Sequence, residues 1–438
     1  MYPLSLGIKE RLTGLFERNS IHLRFREPSI WKLRPLNYYL FANGSWYLAW
    51  GMQSVVFAWL VTLVLREPAE KVGFAQMALL LPGLFLMLYA GAIADRVGAA
   101  RQAFWSQLLA ACTPLLLIYS VLTDTFTYEL LIVYALLTGV AQAFLTPARD
   151  GLLNYVAEGN IQRLVLKSSL TQFSCQIVGV IIAGFADQFG APVILSVQVV
   201  VMLIGVWTYK KISVMVDVTP KILERKRLLY EIWEGGVTVF SNPIMRVVVI
   251  QNVAMAIFFM GAFMVSFPLV VREVFDGSSS DLAAVSGFNA LGLVATLFIL
   301  LRLGYIERAG RALLLAQGVG AIFLFLAGIA GSIYLFIACV FTWGLCGGLA
   351  MPMCRTIMQE LAPPEQRSRV MGFFGFSFMG TGPLGALFVG YLAEYFGPQE
   401  SIFICALSML LTIFVVSQTT KIWDTKLVNG ANEISAEG

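Results

Sequence analysis

Charged residues are scarce in this sequence. Only 13% of the 438 residues are Asp, Glu, Lys or Arg, whereas 58% are hydrophobic and the mean hydropathy is +0.78. A soluble domain of ordinary composition carries about a quarter charged residues. The shortage argues against a soluble enzyme, a nucleic-acid-binding protein and a disordered scaffold. It predicts a protein that crosses a membrane many times.

Residues that bind metals and nucleotides are also scarce. His22 is the single histidine, and the six cysteines lie scattered in apolar stretches without a Cys-x-x-Cys pair. The sequence contains no phosphate-binding Gly-x-x-x-x-Gly-Lys-Ser/Thr loop. A membrane-embedded enzyme would need clustered His, Asp or Glu at membrane depth, and the sequence has no such cluster. We therefore expect no enzymatic activity, no cofactor, no metal site and no disulfide framework.

Long apolar runs fill most of the chain. A helix that crosses a bilayer needs about 20 mostly apolar residues. The run 312–354 is long enough for two helices, with a turn at Gly328-Ile-Ala-Gly331-Ser332. The sequence thus predicts an all-α integral membrane protein with twelve spans, counting that run twice. The charge-free runs are 36–65, 72–94, 102–123, 130–148, 168–186, 188–209, 247–271, 282–301, 312–354, 370–393 and 401–420.

The basic residues fall almost entirely on one side of this arrangement. If both termini lie on the same side, that side holds 27 of the 30 Lys and Arg residues, and the opposite loops hold only Arg66, Lys71 and Arg272. Cytoplasmic loops carry the excess of Lys and Arg. We expect a multi-pass protein of the bacterial inner membrane with both termini in the cytoplasm. The predicted regions are a cytoplasmic segment 1–35, a six-helix bundle 36–209, a charged cytoplasmic linker 210–242, a second bundle 243–420 and a cytoplasmic tail 421–438.

The linker contains both charged and apolar residues. Glu224-Arg225-Lys226-Arg227 is followed by Leu229, Ile232 and Trp233. This pattern is consistent with a helix at the lipid headgroups and equally with a solvated linker helix.

The two halves of the sequence repeat one another. Gly91-Ala-Ile-Ala-Asp95-Arg96-Val-Gly98 follows span two, and Gly304-Tyr-Ile-Glu307-Arg308-Ala-Gly310 follows span eight. Ala186-Asp187-Gln-Phe-Gly190 matches Ala393-Glu394-Tyr-Phe-Gly397, and Pro147-Ala-Arg149 matches Pro352-Met-Cys-Arg355. Three echoes at nearly one spacing, in matching places, indicate two repeated six-helix units.

These motifs resemble those of the major facilitator superfamily over nearly the whole chain. Thr146-Pro147-Ala148-Arg149, Phe240-Ser241-Asn242-Pro243 and the segment from Gln359 to Gly372 are similar to the bacterial drug- and siderophore-exporter branch, the transmembrane secretion effectors. The resemblance implies two six-helix bundles that rock about a site near the bilayer midplane.

The resemblance also implies a cytoplasmic latch between the bundles, in the loop after span two and, more weakly, in the loop after span eight. Without the family, the same charges would be read as anchors of short loops. The latch residues carried over are Asp95, Arg96, Gly98, Arg101, Arg149, Glu307, Arg308 and Gly310.

Helical spacing and the family arrangement together indicate a substrate cavity. On span one, polar and aromatic residues recur at three- and four-residue intervals, and the superfamily places spans one, four, seven and ten around the pathway. Ordinary helix packing is the alternative for each residue. The candidates are Asn43, Trp46, Trp50, Gln53, Gln142, Gln172, Gln176, Asn252, Phe259, Asn289, Trp343 and Phe378.

The spans lack ionisable residues near their centres, where such groups usually mark proton relays or charged cargo. We therefore expect a neutral, zwitterionic or amphipathic small-molecule substrate. The resemblance to the exporter branch implies export as the first hypothesis, with import or lipid translocation as the alternative and a channel or receptor less favoured. The expected partners are that substrate and the lipid bilayer, with no nucleic acid, and the protein is expected to be a monomer. Proton coupling is left open and would use peripheral acids, with Asp95 and Asp150 preferred over Glu129, Asp187 and Glu394.

Overall fold

Twelve long helices account for most of the residues that the structure describes. The computed structural model describes residues 35–156, 161–215, 228–303, 306–363 and 366–424. The helices are α1 Pro35–Val64, α2 Ala69–Val97, α3 Ala99–Leu122, α4 Tyr128–Val156, α5 Ile161–Ala183, α6 Ala191–Met215, α7 Pro243–Glu273, α8 Ser279–Leu303, α9 Ala309–Gly328, α10 Ile333–Leu361, α11 Arg367–Phe396 and α12 Pro398–Thr419.

Eleven of these helices are, in their described parts, long and apolar enough to cross a membrane. The twelfth is α5, whose described part is more polar because it carries Ser168, Gln172 and Gln176. The predicted split of the long ninth run is confirmed, because α9 ends at Gly328 and α10 begins at Ile333. The protein is therefore an all-α membrane protein with the predicted twelve helices.

Two helices depart from regular α geometry. The last turn of α1, Leu60–Val64, is π-helical, and α7 contains two π-helical segments, Met255–Met260 and Ala262–Ser266. Segments of this kind are rare and frequently occur at functional sites. Leu60–Val64 and Ala262–Ser266 contact the other bundle, whereas Met255–Met260 packs within its own bundle.

The helices form two six-helix bundles, α1–α6 and α7–α12, that repeat one another in structure. In the first bundle, the Asn43 amide donates to the Ser168 hydroxyl at 3.2 Å and joins α1 to α5. In the second, the Asn252 amide donates to the Ser377 hydroxyl at 2.9 Å and joins α7 to α11. Both pairs are 125 residues apart in the sequence, and one pair is displaced from the other by 209 residues. The sequence echoes therefore reflect a true structural repeat.

Glycine produces the same close approach in both bundles. A β-carbon on Gly139 of α4 would lie 2.4 Å from the Leu79 carbonyl oxygen of α2, and one on Gly348 of α10 would lie 2.7 Å from the Leu293 carbonyl oxygen of α8. Small residues of this kind allow membrane helices to pack backbone against backbone. Gly139 and Gly348 are again 209 residues apart.

The described part of the linker is a helix, Leu228–Ser241, that packs on α11. Glu234 forms an ion pair of 2.7 Å with Arg369, and Thr238 donates to Gln366 at 2.5 Å. Trp233 and Phe240 are exposed on the helix surface. An exposed apolar row is typical of a helix at the lipid headgroups, so that interpretation of the linker stays a prediction.

Candidate transport pathway between the two halves

The two bundles meet along α2 and α11 and along α5 and α8. For clarity, the ends of the helices near Gly98, Arg308 and Arg367 are called the basic end, and those near Arg66, Gly184 and Glu273 the opposite end. Gly73 of α2 lies against Ala386 and Gly390 of α11, so close that a β-carbon on Gly73 would stand 2.6 Å from the Ala386 carbonyl oxygen. The halves are thus in direct backbone contact toward the opposite end.

Two carboxylates hold the opposite end together in a symmetric way. Glu394, at the end of α11, accepts a hydrogen bond of 2.8 Å from the backbone N–H of Ala69, the first residue of α2. Asp187, just after α5, accepts from the backbone N–H of Ser279, the first residue of α8. A carboxylate beside a helix N-terminus interacts favourably with the helix dipole and with the unpaired N–H groups there.

The Asp187 contact has additional partners. The Ser279 hydroxyl donates to the Gly184 carbonyl at 3.0 Å, and the Trp59 indole N–H donates to Asp187 at 2.8 Å. Arg272 of α7 adds a further bridge, because its guanidinium donates to the carbonyls of Thr62 at 3.2 Å and Glu67 at 2.7 Å. We call Ala69, Asp187, Arg272, Ser279 and Glu394 the closure cluster.

At the basic end the same helices separate. Gly372 and Gly375 continue the face of α11 that contacts α2, but a β-carbon on either would meet no atom within 4 Å. Met379, on the same face, is 43% exposed. Within the described part of the chain, the hydrogen bonds that join the two halves all belong to the opposite end.

The predicted latch residues lie at the open, basic end. Arg96, Arg101, Glu307 and Arg308 are exposed, and the side chain of Asp95 lies outside the described residues. Gly98 has a φ of +94°, which favours glycine in the turn between α2 and α3. Gly310 packs against the backbone of Ile422. The latch between bundles therefore stays a prediction for a conformation closed at this end.

A cavity lies between the halves, toward the opposite end. Its volume is about 50 Å³, and α1, α2, α7 and α8 form its walls. Trp50 and Gln53 are the predicted residues that line it. Phe57, on the same polar and aromatic stripe of span one, also lines it, whereas sequence reasoning missed Ser54, Gln76, Phe263, Phe267 and Ser286.

Two predicted cavity residues, Phe259 and Trp343, belong to an aromatic group in the second half. The ring centroid of Trp343 lies 5.7 Å from that of Phe259, 5.9 Å from that of Phe263 and 5.6 Å from that of Phe267. Because Phe263 and Phe267 line the cavity, Trp343 supports its wall from behind. In the first half, Trp46 is buried and stacks on Trp50 at 6.4 Å.

Other predicted residues are engaged in helix packing. Asn43 and Asn252 are buried and donate to α5 and α11 as described above. Their amides join helices within one half, which was the alternative considered for each residue. Five further candidates are half-buried in the helices predicted for them, namely Gln142, Gln172, Gln176, Asn289 and Phe378.

Arg149 differs from the other predicted latch residues because its side chain is buried within the first half. It lies over the ring of Tyr47 on α1, with 4.7 Å from the guanidinium carbon to the ring centroid. Arg355, its counterpart in the sequence echo, is exposed on α10. The structural repeat of 209 residues instead places the buried Met358 at the corresponding position.

The closure cluster had one signal in the sequence. The repeated Ala-Asp-x-Phe-Gly and Ala-Glu-x-Phe-Gly segments contain Asp187 and Glu394. Their partners are 92 and 325 residues away along the chain, so the pairing itself could not be found from the motif.

The chain is similar to several known proteins. A family model described as transmembrane secretion effector matches residues 40–433. The Staphyloferrin A transporter of Staphylococcus aureus (strain NCTC 8325 / PS 47) is 24% identical over 374 residues, which cover 82% of this chain and 89% of that protein.

Two solved structures share the fold. A mutant of the nucleoside transporter NupG superposes with a TM-score of 0.71 at 14% identity, covering 89% of this chain and 100% of that one. A bacterial homologue of the human lysosomal transporter Spinster, in an inward-facing and unoccupied conformation, gives a TM-score of 0.64 at 12% identity, covering 90% and 97%.

Proposed function

Because the chain belongs to the transmembrane secretion effector family, within the major facilitator superfamily of membrane transporters, we propose that it exports a small amphipathic molecule by alternating access. The observation that carries the proposal is the distribution of contacts between the halves. The closure cluster joins the two halves at the opposite end, and the halves separate at the basic end. One such state implies a second in which the basic end closes and the opposite end opens.

The orientation of the proposal rests on charge. In the sequence, the termini and loops predicted for the side of the basic end hold 27 of the 30 Lys and Arg residues, and such an excess is typical of the cytoplasmic side. In this orientation the structure represents the state that loads cargo from the cytoplasm. Thiol labelling from outside intact cells tests it, in a background without the native cysteines. We expect Ser278→Cys to be labelled and Ser213→Cys to be protected, and the reverse pattern contradicts the orientation.

The cargo class follows from the walls of the cavity. Trp50, Phe263 and Phe267 offer aromatic surface, and Gln53, Gln76 and Ser286 offer a few polar groups. Walls of this composition suit a flat or amphipathic molecule, which they orient by stacking and a small number of hydrogen bonds. A drug-like compound, a siderophore or another secondary metabolite fits this description. The similarity to a staphyloferrin transporter favours the siderophore class.

Import of a similar compound, or translocation of a lipid, is the second candidate. The same fold is compatible with export, import and lipid translocation. The open basic end allows the substrate to be released there as well as loaded. Coupling to protons is part of the proposal for export, since an exporter needs an energy source. Its candidate carboxylates are the peripheral ones named above.

Transport into inverted membrane vesicles tests the proposal. The vesicles are incubated with a panel of neutral, zwitterionic and anionic amphiphiles, including siderophores, with and without an imposed proton gradient. We expect uptake of at least one compound that depends on the gradient and is absent in vesicles without the protein. Gly73→Leu, which should disturb the α2–α11 contact, provides an inactive control. Uptake only by right-side-out vesicles would instead support import.

A further inference from the structure

Arg149 is a buried cation within the first bundle. Arg149 is 7% exposed and lies in the last third of α4, two helical turns after Gln142 on the same face. Tyr47 of α1 covers one side of the guanidinium. Tyr47 shares its helix face with Trp50 and Ser54, which line the cavity between the halves. Tyr47 therefore lies on the face of α1 that leads to the cavity, and the guanidinium packs against its ring toward the basic end.

The hydrogen-bond donors of Arg149 and of the neighbouring Tyr209 are only partly satisfied. The guanidinium Nη1 is buried and has no hydrogen-bond partner, and the same is true of the hydroxyl of Tyr209 on α6, within the described part of the chain. The carboxylate near Arg149 is Asp150, 3.7 Å from Nε, and its side chain is 68% exposed. Arg149 thus has a distant and solvated counter-ion.

A buried guanidinium with an unused donor is costly unless an anion pairs with it. Arginine presents planar donors that match a carboxylate in a two-point contact. The tyrosine hydroxyl of Tyr209 adds a neutral donor. A planar carboxylate is therefore the group that these donors recognise best.

We propose that Arg149, with Tyr209 and Tyr47, forms a carboxylate-binding site for the transported molecule. This inference rests on the proposed function and narrows its cargo to an amphiphile with an acidic group. The acid binds Arg149 and takes the place of Asp150 as its counter-ion. The apolar part of the molecule extends past Trp50, three residues (about 4.5 Å) further along α1 than Tyr47, toward the aromatic wall of the cavity.

The second half differs at the repeated position. The position related to Arg149 by the structural repeat is Met358, which is buried and apolar. The buried cation therefore lies in the first half, and an apolar side chain takes its place in the second. Such asymmetry favours a cargo with a single acidic end and an aromatic or apolar body over a symmetric dianion.

A matched pair of probes tests the proposal. Purified protein in detergent is titrated with tritiated 1-naphthaleneacetate and with its neutral amide, 1-naphthaleneacetamide. We expect the acid to bind at least about tenfold more tightly than the amide, the size of effect typical of a charged hydrogen bond. Arg149→Gln should make the two affinities equal, chiefly by weakening the acid, and Arg149→Lys should retain part of the preference.

Further variants keep the result interpretable. Tyr209→Phe removes one donor and should reduce the acid preference severalfold, which provides a second test if Arg149→Gln does not fold. Asp150→Asn removes the competing acid and should leave the acid affinity equal or higher. Arg355→Gln, an exposed arginine at the same end, should change nothing.

Two results would overturn the proposal: equal affinities in the wild type, or an unchanged acid preference in both Arg149→Gln and Tyr209→Phe. Uptake of a neutral panel compound by Arg149→Gln vesicles separates this inference from the proposed function. If that uptake persists while acid preference is unchanged, the carboxylate site is wrong and the transport function stands. If no compound is transported by the wild type, the transport function itself fails.

Discussion

The two halves share a framework and differ in what they place at the pathway. In the first half, Gln53 accepts hydrogen bonds from Tyr134 and from Gln198, the latter at 3.0 Å. The repeat places Ala262 and Trp343 at the positions of Gln53 and Tyr134, and the ring of Phe263, next to Ala262, packs 5.9 Å from that of Trp343. One half therefore has a buried polar network where the other has an aromatic cluster.

This difference distinguishes two kinds of position in the sequence. Positions that hold helices together, such as Asn43 and Asn252 or Gly139 and Gly348, keep the same chemistry in both halves. Positions near the pathway diverge, because the fold requires only that they fill space. Selectivity is thus expected to depend on the divergent positions, and folding on the shared ones.

The largest effect is expected at the shared glycines. Gly139→Ala and Gly348→Ala should each reduce the yield of folded protein strongly and to a similar extent. The added methyl group would overlap a backbone carbonyl that cannot move without the helix, and overpacking of this kind costs about 1–3 kcal/mol or more. Size-exclusion chromatography of tagged protein in detergent measures the yield.

Gly347→Ala is the matched control for this prediction. A β-carbon on Gly347 would meet no atom within 4 Å, although it adjoins Gly348 in α10. Equal losses at Gly347 and Gly348 would show that the close approach is not the cause.

The next largest effect concerns the two carboxylates of the closure cluster. Asp187→Asn and Glu394→Gln should both shift the protein toward a state open at the opposite end. A hydrogen bond to a charged group contributes about 1.5–3 kcal/mol, which corresponds to a shift of about tenfold or more. Asp187→Asn should have the larger effect because Asp187 also accepts from Trp59. Electron–electron distance measurements between spin labels at Tyr119→Cys and Tyr334→Cys, in a background without native cysteines, report the opening.

Glu400→Gln provides the control for the closure prediction, since Glu400 lies at the same end in the first turn of α12 and takes no part in the closure cluster. An unchanged distance distribution in both Asp187→Asn and Glu394→Gln would contradict the symmetric closure.

A smaller effect is expected at the tryptophans of the two walls. Trp50→Ala and Trp343→Ala should both change the relative transport of compounds in the panel, with little effect on expression. Trp343→Ala should lower the thermal midpoint more, because Trp343 packs against three phenylalanine rings and its loss leaves a cavity. Vesicle transport and thermal unfolding of the purified variants measure the two effects. Identical selectivity of both variants and the wild type would remove the tryptophans from the cargo site.

The smallest effect is expected in the polar network of the first half. Tyr134→Phe removes the donor to Gln53 and should lower the free energy of unfolding by about 1 kcal/mol, the typical value for a neutral hydrogen bond. Thermal unfolding measures the change, and Tyr334→Phe, an exposed tyrosine, is the control. A stabilised Tyr134→Phe variant would show that the network serves function at the expense of stability.

Most of the helical framework was predictable from the sequence. Span boundaries agree with the helices to within a few residues at most ends, and the turn at Gly328 was found. Hydropathy and charge act locally along the chain, so they can be read without knowing the fold. The cavity was only partly predicted, since Trp50 and Gln53 line it whereas Asn43 and Asn252 hold helices together.

The sequence by itself determined the number of spans, the distribution of positive charge and the existence of two repeats, because each depends on residue type and spacing alone. Only the tertiary structure decided which residues meet across the halves. Asp187 reaches Ser279 and Glu394 reaches Ala69, and Arg149 lies among Tyr47 and its buried neighbours while Arg355 is exposed. These outcomes depend on how two bundles of similar sequence pack and rotate against each other. A helix face can be inferred from periodicity, but its partner is set by the packing of side chains that are distant in the chain.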